Sequence, residues 1–466
     1  MDVKQDSNYR GVTATQDVEF RVKKINELLA HYVPTRNTWS PADESLYKPV
    51  DLYRVPLDEA LDMQLKAIKY TFSYHYNNND FYRKYCEVRN VRPDDIKTVD
   101  DFDKIPLIPD TTYKQYPSGK DFAHWLATVF TGELPEIVIK SSNPSYDDVI
   151  NAFNVAGLAV MYSSGTSGRH TFIPRDMKTF KAAQYAVMKL RASMIDVNVD
   201  HAFLLFPNPT KTNLFIGRAT SFTYDMFEDV HYAMDYAITT GVTQRAMSRN
   251  QELKGKLVSS AQSEMLQKVV DRTIRWLERY DKTAESIRLS GPPFMFFLVM
   301  KTLQKNGKSF DFGERGAVST GGGWKIYEDK RIPHADFREQ VENVLGIPER
   351  RCLDLYGMCE GNGWMWQCPE GHYLHAPYTY YKPLVLGEDL MPTGYGEWGR
   401  FAFLDSLAQS YPGFIISGDR VRLLEHCPVC DRPGPVMEPE IQRAKGEEVR
   451  GCAEELRRIL AQDFAK

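Results

Sequence analysis

No apolar stretch in this sequence is long enough to cross a bilayer as a helix. The N-terminus, MDVKQDSNYRGVTATQD, is polar and acidic and has no apolar leader core, so a cytoplasmic protein is expected. Neither sign of charge dominates. The balance of 58 Lys and Arg against 62 Asp and Glu gives a net charge of -4, without the basic footprint that nucleic acid or an anionic membrane demands. Cysteine is sparse. Seven residues, an odd number in a long unsecreted chain, argue against a disulfide framework. The G-x-x-x-x-G-K-[ST] spacing of a P-loop is missing, as is the G-x-S-x-G elbow of serine hydrolases. There is no internal repeat and no low-complexity segment.

What remains is an ordinary globular composition, 42% hydrophobic and 26% charged, over 466 residues. That length suits two or three domains, or one large one with an appendage. Helical spacing is expected over 17–35 and from Pro56 onward, the latter opened by Asp58 and Glu59. The segment NVRPDDIKTVDDFDKIPLIPD suits short helices between turns. Beyond about 120, strand-like runs (ELPEIVIKS, AGLAVMYSS, HAFLLFPNP) alternate with helical ones (176–195, 260–280, 292–307). Such alternation predicts an α/β sheet with helices packed on it. A last short helix is expected over CAEELRRILAQDF.

Small hydroxyl residues crowd one strand end, VMYSSGTSGRHTF at 160–172. Ser163, Ser164, Thr166 and Ser167 offer hydroxyls, and Gly165 and Gly168 permit close backbone approach, which suits phosphate oxygens. A Ser/Gly-rich surface turn has the same composition. Three further motifs follow in order: STGGGWK at 319–325, DLYGMCEGNGW at 354–364 and ISGDRVRL at 416–423, with IQRAKGEEVRGC soon after. Six of the seven cysteines lie in the last quarter. Cys427-x-x-Cys430 is a zinc half-site, and Cys368 with His372 or His375 supplies a Cys3His set for structural Zn²⁺; two unrelated cysteine pairs in turns are the alternative.

The order of these motifs resembles the adenylate-forming superfamily of acyl and aryl ligases. Within it the likeness is closest to phenylacetate–CoA ligases, through residues 64–110, and to LuxE acyl-protein synthetases, through GGGWK and QRAKGEEVRGC. The resemblance covers most of 60–466 and leaves the first 50 or so residues unexplained. It implies the N-terminal domain of an adenylate-forming enzyme, with mixed α/β sheets flanked by helices and a short tail in place of the full lid domain. The division expected is a helical region over 1–115, a core over 116–436 with a zinc-binding part at about 365–432, and a C-terminal segment over 437–466.

The resemblance also implies roles. Ser163–Gly168, Thr166 foremost, would hold the ATP phosphates, and Gly321, Gly322 and Gly323 would line the adenine. Tyr356, Gly357 and Met358 would form the next wall, Tyr356 also being readable as core packing. Glu360 would hold Mg²⁺, Asp419 the ribose, and Arg443 ribose or phosphate. The zinc histidine would be His375 rather than His372. Cys452, at the start of the last helix beside Arg450, would carry the acyl group as a thioester; a small buried packing residue is the other reading. The family's lysine after the phosphate loop is missing, as is the lid lysine. Arg169 or Arg175 could replace the first, and Lys325 or Lys445 the second.

The activity implied is ATP-dependent activation of a carboxylic acid as an acyl adenylate, then transfer to a thiol. The acceptor is Cys452, a partner protein or CoA; a CoA ligase and a degenerate ATP-binding scaffold are the rivals. The Phe- and Met-rich LSGPPFMFFLVM and the apolar LLFPNPTKTNLFIG suit an apolar or aromatic acid.

Overall fold

A computed structural model of the chain describes residues 14–165, 169–197, 200–245, 260–444 and Leu456, without the side chains of 14–17, 260–263, Lys325 and Ile326. Its strands are β1 (Ile108–Pro109), β2 (Leu158–Tyr162), β3 (Phe172–Asp176), β4 (His201–Pro207), β5 (Asp229–Met234), β6 (Ile287–Gly291), β7 (Gly316–Gly321), β8 (Cys352–Tyr356), β9 (Met365–Gln367), β10 (Leu374–His375), β11 (Tyr381–Leu386), β12 (Trp398–Asp405), β13 (Phe414–Leu424), β14 (Val436–Met437) and β15 (Gln442–Arg443).

The middle of the chain builds the parallel part of the large sheet. Strands β5, β4, β6, β7 and β8 lie side by side, all parallel. All but the first residue of β4 are buried, as expected of a strand covered on both faces. The helices that cover it follow from local rules. Helix Met177–Ala192 starts on Asp176, whose side chain accepts from the Thr179 amide at 2.6 Å. Helix Pro293–Lys305 has proline at its first position. Helix His334–Leu345 ends at Gly346 in the left-handed conformation, where a Cβ would lie 2.5 Å from Asp311 Cα.

From β8 the sheet turns antiparallel, through β9, β10, β14, β13, β12 and β11. Strand β13 is the longest at 11 residues and also takes two outliers, β1 in parallel at Ile108↔Ile415 and β15 in antiparallel at Asp419↔Arg443. Strands β2 and β3 form a separate hairpin.

The N-terminal helices sit on the antiparallel part. Helix Leu57–Asn78 sends Gln64 Nε2 to the Tyr378 and Tyr381 carbonyls, Thr71 to the Ser406 carbonyl, and His75 to the Ala408 carbonyl at 2.9 Å. Each such buried bond contributes on the order of 1 kcal/mol and fixes the helix in register. The largest apolar cluster runs from Val18 through Phe72 and Phe414 to Leu456, and a second, from Phe203 through Leu277 and Phe296 to Ile347, packs around the parallel strands.

Two expected elements differ. Residues 133–141 form no strand: Pro135 removes a donor, Val138 faces solvent, and Leu134, Ile137 and Ile139 merely lean on the core. The first helix spans Ala14–Leu28 and gives way to a 3₁₀ turn at Ala30–Tyr32, ahead of Pro34. The expected terminal helix lies outside the described residues except for Leu456. Among the described residues no helix is long and apolar enough to cross a membrane.

Candidate active site

The carboxyl ends of β7 and β8 are neighbours, with Gly321 registered on Leu355. Two of the sequence motifs therefore leave the sheet together, at the edge where open α/β sheets bind ligands. After β7, Gly322 and Gly323 take positive φ values of 83° and 66°, which glycine adopts without strain. They deliver Trp324 against Phe297 and Tyr327 against Phe294, an aromatic wall. After β8 the chain passes Gly357 so close to Trp364 that a Cβ there would sit 2.5 Å from the indole. Met358 packs against the core and Glu360 follows.

Glu360 is buried and accepts a hydrogen bond from the Thr171 hydroxyl at 2.7 Å. Burial pushes its carboxyl above the ordinary range; nearby Lys114 opposes this and Asp110 adds to it. Arg175 holds the turn from behind, donating to the Cys359 carbonyl at 2.6 Å and to the Tyr411 hydroxyl at 2.9 Å. Fully buried over Phe215 and Tyr411, it supports the turn from inside the protein. Asp405, beneath, accepts from the Asn362 and Leu407 amides, and burial pushes its carboxyl up to about 6.

The hydroxyl-rich loop is the tip of the β2–β3 hairpin and faces Glu360 through Thr171. Both its ends are pinned. The Ser163 hydroxyl accepts from the Thr171 amide at 2.9 Å, and His170 bridges the Ser163 carbonyl at 2.7 Å to Thr243 Oγ1 at 3.0 Å. Burial lowers the His170 pKa, keeping the imidazole neutral in this bridge. Ser164 is half-buried and Gly165 has φ 71°. Thr166, Ser167 and Gly168 lie outside the described residues, and Arg169 is exposed beyond them.

Strand β13 supplies the opposite side. Asp419 accepts from the Tyr356 hydroxyl at 2.8 Å and from Arg443 Nη1 at 2.6 Å, so both carboxylate oxygens are engaged. Burial and the Asp419 charge hold the Tyr356 phenol far above its usual pKa, protonated and donating. Arg443 reaches Asp419 because β15 pairs with β13.

One side of this cleft was not legible in the motifs. Strand β1 lies along β13, and the 3₁₀ turn Asp110–Lys114 that follows it carries Lys114 into the cleft. Lys114 donates to Asp110 at 2.6 Å, and Asp110 borders Gly418, where a Cβ would lie 3.8 Å from its carboxylate. Burial draws the Lys114 pKa down, but the charges of Asp110 and Glu360 outweigh it and hold the ammonium above the ordinary lysine range. The signal in the sequence is an acid and a lysine four apart in PDTTYK, which reads as a helix pair and nothing more.

A second cluster lies at β9–β10 and the loop before β14. One ligand atom each from Cys368, His375, Cys427 and Cys430 lies within 4.8 Å of the others. His372, at a positive φ of 57°, stays outside the set. Three sulfurs and one imidazole fit a closed tetrahedral zinc site. Buried Arg432, paired with Glu370 at 2.7 Å, adds positive charge next to the Cys430 sulfur. The ring of Tyr53 meets His375 edge-on at 5.6 Å, so the cluster also anchors the N-terminal region. Cys352 and Cys359 are buried elsewhere, with burial raising both thiols. Lys445 and Cys452 lie outside the described residues, as does the Lys325 side chain.

Solved structures share this fold. A 2-hydroxyisobutyryl-CoA ligase in an open conformation with 2-HIB-AMP and CoA superposes with a TM-score of 0.57 at 14% identity, over 90% of this chain and 82% of that one. In its thioesterification state the TM-score is 0.58, over 88% and 73%. Two curated relatives are long-chain-fatty-acid–luciferin-component ligases. That of Vibrio harveyi is 24% identical over 401 residues, 85% of this chain and 88% of the relative. That of Aliivibrio fischeri is 22% identical over 408 residues, 87% and 91% respectively. The model of the LuxE acyl-protein synthetases matches residues 155–461, which take in the hairpin loop, both strand-end turns and β13. The chain therefore belongs to the LuxE acyl-protein synthetase family, and the protein is an ATP-dependent ligase that activates a carboxylic acid and passes the acyl group to a thiol.

Proposed function

We propose that the cleft between the β2–β3 hairpin and β13 binds ATP and joins it to a long-chain or otherwise apolar carboxylic acid. The observation that carries this reading is the convergence of Glu360, Asp419 and the pinned hairpin loop on one edge of the sheet. In this reading the hydroxyls and amides of Ser163–Gly168 receive the phosphates, Gly321–Gly323 and Tyr356–Met358 flank the base, and Asp419 accepts from the ribose. Asp419 must first release Tyr356 or Arg443, which then contacts ribose or phosphate. Glu360, a buried carboxyl at the turn after β8, would hold Mg²⁺, which when bound neutralises phosphate oxygens.

The acid's carboxylate oxygen attacks the α-phosphorus. The bond from that phosphorus to the bridging oxygen breaks, and its electron pair leaves with pyrophosphate. In the second step a thiolate sulfur attacks the acyl carbon of the mixed anhydride and AMP departs with the electron pair of the broken C–O bond. We place that thiol on Cys452, from which a partner protein or CoA takes the acyl group. The aromatic wall of Phe294, Phe297, Trp324 and Tyr327 suits an apolar tail, in keeping with the fatty acids named for the two relatives. The four-residue cluster holds structural Zn²⁺ in this reading, away from the chemistry.

The test is ATP–pyrophosphate exchange over a panel of fatty and aryl acids, followed by labelling with radioactive acid. Exchange with a long-chain acid, and a Cys452→Ser variant that exchanges but retains no label, are the results expected. Undiminished labelling in that variant would remove Cys452 from the pathway. Exchange with no acid would sink the proposal.

A further inference from the structure

The cleft contains a lysine that no motif predicted. Glu360, Asp110 and Asp419 bring three carboxylates to it, and Lys114 and Arg443 bring two cations. A nucleotide triphosphate adds further negative charge, so the placement of fixed cations decides where the reaction can be stabilised. Arg443 already faces the ribose side through Asp419 and is largely exposed. Lys114 stands between the two sides. It is near enough to Glu360 and to Arg443 to be perturbed by both, and its own carbonyl accepts from Arg169 of the hairpin loop at 3.5 Å. A nucleotide with its ribose on Asp419 and its terminal phosphates at the hairpin and Glu360 has its α-phosphate in that interval. Of the three donors on the Lys114 ammonium, Asp110 takes one. Among the described residues no other acceptor is within hydrogen-bonding distance, which leaves donors for a ligand. The placement is firm, because β1 is laddered to the strand that carries Asp419 and Tyr113 is tied to the Pro412 carbonyl at 2.8 Å.

We propose that Lys114 holds the α-phosphate of ATP and stabilises the charge that builds there as the acid's carboxylate attacks. This inference rests on the cleft being the nucleotide site. Lys114 stays protonated throughout; it gives hydrogen bonds to the non-bridging oxygens while the electron pair of the breaking P–O bond leaves with pyrophosphate. Asp110 positions the ammonium and keeps it charged. A lysine at this point on the N-terminal segment supplies the cation that the motif after the hairpin lacks.

The experiment separates the two half-reactions in the full-length enzyme. Lys114→Ala and Lys114→Arg are compared with wild type in pyrophosphate exchange, in ATP binding, and in acyl transfer from a chemically prepared acyl adenylate. Removing one fixed donor from a developing charge costs about 100-fold or more. Exchange by Lys114→Ala is expected to fall by about that much. ATP affinity should change by less than about tenfold, and transfer from the prepared adenylate by less than about threefold. Lys114→Arg should recover about tenfold of the loss, as a charged substitute whose longer, planar head fits a site shaped for an ammonium imperfectly. Lys114→Gln, which keeps the stem, covers the case in which the alanine variant does not fold, and the same selective loss is expected. Exchange within about threefold of wild type would overturn the inference, as would an equal fall in both half-reactions, the signature of a merely structural ion pair. The parent reading fails differently: Glu360→Gln and Asp419→Asn would leave exchange intact whatever Lys114 does.

Discussion

Lys189 gives the sharpest test of the packing described above. It lies in helix Met177–Ala192, is 1% exposed, and donates to the Leu46 carbonyl at 2.7 Å and to the Tyr47 carbonyl at 3.3 Å. Burial lowers its pKa from 10.5 to about 7. The unfolded chain therefore binds more protons than the folded one between about pH 7 and pH 10.5, and stability must rise with pH across that window. The full difference is about 5 kcal/mol, and about 2 kcal/mol of it develops between pH 7 and pH 9. The perturbation is Lys189→Met, which keeps the length of the stem and removes the titration. Urea unfolding of both proteins at half-unit steps from pH 7 to 9 isolates the effect, because every other group titrates alike in the two. Wild type should gain about 2 kcal/mol more than the variant. Parallel profiles would refute the argument, and would mean that the amine keeps its proton on the two carbonyls.

Further outcomes are expected at the site. Glu360→Gln should lose pyrophosphate exchange by about 100-fold or more with an unchanged circular dichroism spectrum, since a metal supplies several kcal/mol to phosphoryl chemistry; exchange within threefold of wild type would remove Glu360 as a metal ligand. Plasma emission analysis should find one zinc per chain, and none in Cys427→Ser. Loss of zinc should also expose Arg54 to trypsin, because Arg54 pairs with Asp431 beside the cluster and Tyr53 packs on His375; an unchanged digest would contradict this. Gly357→Ala should destabilise the protein by about 1–3 kcal/mol, because Trp364 is held by its bond to the Ala183 carbonyl and cannot yield to a methyl group. A calorimetric scan identical to wild type would refute that claim.

What could be read in the sequence follows the range of the forces involved. Helix Met177–Ala192 declares itself through helical spacing of its apolar residues and its Asp176 cap, and strand β4 through continuous apolar content. The turns after β7 and β8 declare themselves through glycine, because close approach to Leu355 and Trp364 leaves no room for a side chain. Strand β1 does not, being two residues set among prolines and acids and defined only by a partner far along the chain. Lys114 was lost with it. The choice between His372 and His375 was open for the same reason, since both follow Cys368 at ligand spacing and only the folded chain separates them. Residues 133–141 show the opposite error, an alternating apolar pattern with no strand edge to pair with.

The pairing of Ile108 with Ile415 also governs how the protein is made. The two strands are separated by about 300 residues, so most of the chain must be synthesised before this ladder can close. The helices of the first third can pack early, yet Lys114 has no opposite bank until β13 is in place. In the proposed reading, nucleotide competence is thus a late event in biogenesis. A chain interrupted before residue 414 would keep most of its helices and all five parallel strands, and would have no cleft to fill.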